Sequence, residues 1–209
     1  MQSYGQLMFT PAVAAEQAAD GSRDANAKRA ERPAPDGLGP DEIAFLESRQ
    51  SFYMASVSEN GWPYVQHRGG PRGFLKVLGP RTIGFADYRG NRQLITKGNL
   101  AGDDRVSVFA MDYVRKARLK IQGRATMRMA AGAPTTAQAL STDGEGRVER
   151  VVVIEVEAFD WNCPQFITPR FDQAELTALV GPELDRLETK IRELEAENAA
   201  LKQTLGEQQ

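Results

Sequence analysis

Cysteine and histidine are nearly absent: Cys163 and His67 are the only examples of each among 209 residues. A single cysteine precludes an internal disulfide, and one imidazole beside it is too little for a structural zinc site. A catalytic metal centre would have to be built almost wholly from carboxylates, so no metal is expected. Long apolar runs are missing as well. Nothing approaches the about 18 consecutive apolar residues that a membrane span requires, and residues 1–10 have neither the basic segment nor the apolar stretch of a secretory signal. The expectation is a cytoplasmic chain with no membrane partner. A large charge of one sign is also lacking. The formal net charge is −2, which argues against a globally basic nucleic-acid binder.

That near-neutral total hides a segregation. Residues 1–66 carry 5 basic and 9 acidic side chains, residues 67–128 carry 14 and 4, and residues 129–209 carry 7 and 15. The sections therefore stand at −4, +10 and −8, and the cationic middle calls for an explanation. Hydrophobic content of 41% and charged content of 26% are those of a globular chain with room for a core of ordinary size.

Residues 11–40 are rich in Ala, Gly, Pro and charge and have no sustained apolar stripe. Segment 1–40 reads as an arm, mobile unless it lies across another surface, because it buries too little to offset its ordering entropy. Pro40-Asp41-Glu42 then starts a short helix running to about Arg49, with acidic residues in its first turn. From Ser51 to about Phe159 the texture is one of short β-like runs separated by Gly- and Pro-containing turns. Seven candidate strands fall at 51–58, 62–68, 73–78, 81–88, 105–114, 117–129 and 147–161. Short connections favour antiparallel pairing. Helices are expected at 91–99 and 135–140. The predicted class is mainly β, a barrel or sandwich spanning residues 41–170.

Residues 171–209 form a helical tail. It starts over Glu175 to Leu179, is broken at Gly181-Pro182, and resumes at Leu184. From there apolar residues recur at +3, +4 spacing: Leu184, Leu187, Ile191, Leu194, then Asn198, Leu201 and Leu205. This is an a/d heptad register with one Asn at an a position, the pattern of parallel two-stranded coiled coils. A single amphipathic helix packed on its own domain remains the alternative.

Three clusters carry the chemistry. In Tyr88-Arg89-Gly90-Asn91-Arg92 a strand ends at a Gly turn before a helix, so backbone N–H groups and Arg92 converge on one spot. That is the outline of an anion pocket, to which Lys76 on a neighbouring strand could contribute. Gln66-His67-Arg68-Gly69-Gly70-Pro71 ends a strand with glycines that permit close backbone approach to a ligand. Asp160-Trp161-Asn162-Cys163-Pro164-Gln165 offers Trp161 to pack on an aromatic ligand and Gln165 to bond its polar edge. Nothing in these clusters makes a catalytic triad, and no catalytic residue is assigned.

The run WPYVQHRGGPRGFLKVL, followed by TIGFADYRGNRQ, GNL, DDRVSVFAMDY, RLKIQGRA and VERVVVIEVEAFDWNCPQFITPRF, resembles the flavin-nucleotide-binding relatives of pyridoxamine 5′-phosphate oxidase. The likeness covers about residues 40–172, and HRGGP, DYRGNR and WNCPQ are its most specific parts. It implies a split β-barrel with peripheral helices, a homodimer, and one FMN in each of two clefts between subunits. The cofactor-binding residues it implies are His67, Arg68, Lys76, Asn91, Arg92, Arg118, Trp161 and Gln165. Asn91 and Arg92 match the family's pair for the flavin phosphate, Lys76 its strand lysine, and Arg118 the place of a glutamine turned toward the flavin, where a cation would favour the anionic reduced form. Three additional residues, Gly69 to Pro71, separate Arg68 from the corresponding arginine position. The C-terminus departs from the oxidases, which end in a Trp- and Arg-containing segment, so pyridoxamine phosphate is not the expected substrate. The implied function is that of an FMN-dependent oxidoreductase acting on a small molecule, with NAD(P)H as a candidate donor. The alternative is a non-catalytic flavin-binding or redox-sensing module read out through the tail. Heme on the same barrel is a third reading, disfavoured by the single imidazole.

Overall fold

The computed structural model describes residues 1–143, 146–162 and 164–206, which form two compact units, Met1–Ile167 and one beginning at Thr168. Cys163 lies outside the described residues. In the first unit β1 (Ser51–Val57), β2 (Pro63–Gly69), β3 (Leu75–Gly79), β4 (Thr82–Tyr88), β5 (Arg105–Asp112), β6 (Ala117–Met129) and β7 (Val148–Asn162) form one antiparallel sheet in the order β2-β1-β5-β6-β7-β4-β3. The class is mainly β, as the alternation of apolar and polar residues predicts.

The hydrogen-bonded ladder is open between its edge strands β2 and β3, so the sheet is a split barrel and not a closed one. Side chains span the split. Phe52 of β1 meets Phe74 and Phe85 of β4 at ring-centroid distances of 5.7 and 5.3 Å, and Arg68 of β2 reaches Asp87 of β4 at 2.7 Å. The interior is filled by Phe52, Met54, Leu75, Ile83, Phe85, Val108, Leu119, Ile121, Val152 and Ile154, all buried.

The pairing of β6 with β7 slips between Gln122 and Gly123. A Cβ on Gly123 would stand 2.5 Å from the Glu155 carbonyl oxygen and 2.8 Å from Ile154 Cγ2. Gly123→Ala is therefore expected to cost about 1–3 kcal/mol of stability in urea titration, the usual penalty of overpacking. An unchanged midpoint would show that the bulge can open.

Helices seal the barrel. In α4 (Pro40–Glu47), Phe45 and Leu46 are buried, and Glu42 Oε2 accepts the Gly39 N–H at 2.9 Å. Arg49, just beyond it, donates to the Met111 carbonyl and pairs with the buried Asp112 at 2.8 Å. The N-terminal arm lies against the barrel and contains three helices that its composition does not announce: α1 (Tyr4–Met8), α2 (Pro11–Ala19) and α3 (Arg23–Ala30). Local signals account for this. Ser3 and Gln6 form a capping box, Thr10 caps a helix with Pro11 at its first position, and alanine supplies the helix propensity. No residue of α2 or α3 is buried, yet the segment is fastened to the barrel. The Gln2 N–H donates to the Glu157 carbonyl, Gln122 donates to the Tyr4 hydroxyl, and Lys120 lies 4.5 Å over the Tyr4 ring.

Among the described residues the second unit holds one helix, α7 (Gln173–Gly206), which runs through Pro182 without the expected break. The residue before a proline normally resists helical geometry because its Cβ meets the proline ring; Gly181 has none, which removes that clash. Among the described residues no helix is long and apolar enough to cross a membrane.

Candidate functional site

β4 and β7 pair so that Asp87 stands opposite Arg150, at the end of the barrel where β2 also terminates the sheet. Asp87 shares side-chain parity with the interior residues Ile83 and Phe85, and Arg150 with Val152 and Ile154. Two charges thus enter the barrel end, and each needs a partner. Asp87 supplies both bonds, accepting from Arg68 Nη1 through Oδ1 at 2.7 Å and from Arg150 Nε through Oδ2 at 2.6 Å. Burial works against the Arg150 charge, but the bond to Asp87, the Asp87 charge and a 3.0 Å contact with Glu149 outweigh it and raise its pKa. Arg68 also lies against the Phe85 ring, while its Nε is buried without a hydrogen-bond partner among the described residues.

A cleft of about 270 Å³ opens over this network. Its wall comprises the loop after β4 and the start of α5 (Ile95–Gly102). Four cations, Arg68, Arg92, Lys97 and Arg150, line it against a single carboxylate, Asp87. Among the described residues Arg92 and Lys97 have no ion-pair or hydrogen-bond partner. Among the described residues no side chain caps α5, so its first N–H groups, those of Ile95, Thr96 and Lys97, remain available at the cleft wall. Thr96 Oγ1 donates to Gln66 Oε1 at 2.7 Å and Asn99 donates to the Ser56 hydroxyl at 2.9 Å, which fixes this helix end against β2 and β1.

The helix starts four residues later than Asn91, the position read from the sequence. Asn91 Oδ1 accepts the Gln93 N–H at 3.1 Å, a local turn that competes with helix formation. Arg92 and Leu94 follow with φ of 63° and 55°. Left-handed backbone at two non-glycine residues costs about 1–2 kcal/mol each, and such strain gathers at ligand-binding loops.

The eight residues implied by the resemblance do not converge within one chain. Arg68, Asn91 and Arg92 line the cationic cleft. His67, on the outward parity of β2, packs edge-on to Tyr53 at 5.6 Å and lines a neighbouring cleft of about 240 Å³ with Gly69, Gly70 and Pro71. Lys76 lines neither cleft; its Nζ donates to the Ala139 and Ser141 carbonyls at 2.7 and 3.1 Å, at the end of α6 (Pro134–Leu140). Arg118 stands at the far end of β6, opposite Met111 and Asn162. Trp161 donates from Nε1 to Glu42 Oε1 at 2.6 Å and packs edge-on to Phe45. Gln165 is exposed in the turn after β7. Eleven positions of β7 separate Arg150 from Trp161, on the order of 30 Å along the strand.

The sequence alone does not mark Asp87, Arg150, Lys97 or Thr96 as site residues. The signal for the first two is parity: each is the charged residue that continues an otherwise apolar interior row. Several other cations of the middle section are occupied. Arg81 donates to the Asp36 carbonyl, Lys120 pairs with Asp160, and Arg124 pairs with Asp104 and Glu157. Arg105 binds Asp103, which lowers that carboxyl to about 2. No group of three or more potential metal ligands occurs among the described residues.

A family model described as pyridoxamine 5′-phosphate oxidase matches residues 40–161. Solved structures similar to this chain include HupZ of Group A Streptococcus, 18% identical with a TM-score of 0.46, covering 64% of this chain and 100% of that one. A protein of Clostridium acetobutylicum related to general stress protein 26 of B. subtilis is 13% identical, TM-score 0.44, covering 58% and 85%. The FAD binding protein from Mycobacterium smegmatis is 14% identical, TM-score 0.41, covering 60% and 95%. No curated protein matches the chain.

Proposed function

Because this chain belongs to the pyridoxamine 5′-phosphate oxidase family, we propose that it binds a flavin, that the flavin is FMN, and that the cationic cleft receives the phosphate. The observation that carries this reading is the convergence of two uncommitted cations, Arg92 and Lys97, with the uncapped end of α5 on one cleft. A phosphate monoester near neutrality carries about −1.5 to −2 charges and three acceptor oxygens. The cleft fits that group: its walls present N–H donors, and the excess of positive charge remains after Asp87 has neutralised part of the Arg68–Arg150 pair.

In this assignment Arg92 and Lys97 bind the phosphate directly, while Asp87 holds Arg68 and Arg150 in place. Thr96, tied to Gln66, orients the helix end. Bound FMN supplies hydride or electron transfer, and the protein supplies binding, orientation and electrostatics. Trp161, Gln165 and Arg118 lie too far from the cleft along the chain to serve the same flavin. Their assignment goes with a homodimer in which each FMN is shared between subunits.

The proposed activity is that of an oxidoreductase on a small molecule, with NAD(P)H as donor. The exposed apolar stripe of α7 favours a second reading, a flavin-binding module that signals through the tail. Absorbance of the purified protein followed by anaerobic titration tests both. Flavin bands that bleach on NADH or NADPH addition are expected for the enzyme. Flavin bands unchanged by either donor favour the module, and failure to bind added FMN would overturn the cofactor assignment.

A further inference from the structure

We infer that α7 pairs with α7 of a second copy as a parallel two-stranded coiled coil. Leu184, Leu187, Ile191, Leu194 and Leu201 lie between 44% and 57% exposed along one stripe of a 34-residue helix. Isolated, such a helix leaves its apolar row in water, and the a/d spacing suits a second helix of the same kind.

Charge identifies the occupant. In this register Lys190 faces Glu195 of the second copy and Glu197 faces Lys202 of the second copy, each pairing occurring twice by symmetry. The discordant contact is Glu183 against Glu188. Both carboxylates already have cationic partners on their own helix: Arg186 binds Glu183 at 2.7 Å and Arg192 reaches Glu188 at 3.5 Å. Their mutual repulsion is reduced accordingly.

Asn198 selects the direction. In the parallel arrangement its amide meets the amide of Asn198 in the second copy, and each satisfies the other within the seam. The antiparallel arrangement that keeps every layer filled places Asn198 against Leu187, leaving a buried amide without a partner. It also sets Glu188 against Glu195, a like-charge contact that offsets the Lys190–Glu197 contact of the same arrangement, so charge gives the antiparallel pair no advantage and the asparagine decides. Parallel pairing thus follows from the same residues that specify a second copy.

The test uses the full-length chain carrying Cys163→Ser, so that each variant has one cysteine. Asn198→Cys, Leu187→Cys and Gln203→Cys proteins are oxidised mildly at micromolar concentration and run on non-reducing gels. Asn198→Cys and Leu187→Cys should each form a covalent dimer nearly completely, whereas Gln203→Cys, on the outer face of the helix, should yield at most a tenth as much. Cross-linking only when the Asn198→Cys and Leu187→Cys proteins are mixed would establish the antiparallel pair and overturn the proposal. Equal yields at all three positions, or none at either seam position, would overturn it as well. A dimer formed by the barrel alone gives no preference for the seam, so the outcome is independent of the flavin assignment.

Discussion

Arg92→Ala is expected to weaken FMN binding about 10- to 150-fold while leaving the thermal transition of the apoprotein within a few degrees of the parent. The range follows from one charge-assisted hydrogen bond, worth about 1.5–3 kcal/mol, at 1.4 kcal/mol per factor of ten. The guanidinium has no partner among the described residues to lose, so its removal leaves no orphaned group in the apoprotein. Backbone geometry provides an internal control. Arg92 adopts φ 63°, a conformation that carries the same Cβ penalty for alanine as for arginine and none for glycine. Arg92→Gly should therefore lose FMN as Arg92→Ala does but melt at a higher temperature. Affinity retained in both variants, measured by flavin fluorescence quenching, would remove Arg92 from the phosphate site.

The larger effect on the fold is expected at Asp87. Asp87→Ala leaves the Arg68 and Arg150 guanidinium groups, both mostly buried, side by side without their shared carboxylate. Breaking a buried pair in this way costs about 3–5 kcal/mol, and here two pairs share one acceptor. Among the described residues the loss falls on the only charged bridge between β2 and β4, and no backbone hydrogen bond there joins β2 to β3 or β4 across the split. Asp87→Asn, which keeps an acceptor but not the charge, should lose less. Chemical denaturation of the three proteins without flavin separates this from any effect of the cofactor. A loss below 1 kcal/mol for Asp87→Ala would mean that aromatic packing alone holds the split together.

The strands were legible because β-branched and aromatic residues alternate with polar ones between Gly and Pro turns, and each of the seven lies within two residues or so of its expected limits. Local competition hid the rest. The Asn91 side chain moves the start of α5, and Gly181 lets a helix pass through Pro182. Capping at Ser3 and Thr10 orders a segment whose composition suggests an arm. The site was half legible: Arg92 and Asn91 sit in a turn visible in the sequence, whereas Asp87 and Arg150 are 63 residues apart and meet only through the β4–β7 register. Lys76 illustrates the converse. It occupies the expected strand, yet the end of α6, remote in sequence, takes its ammonium group. The cationic middle section thus divides into side chains consumed by the fold and a smaller set directed at the cleft.

The proposed flavin site depends on recognition of the phosphate in the cleft. Titrating the apoprotein with FMN and with riboflavin, which has the same ring and ribityl chain but no phosphate, tests it most directly. FMN should bind at least 100-fold more tightly, with the preference shrinking by about tenfold or more in Arg92→Ala. Equal affinity for the two ligands would contradict the assignment.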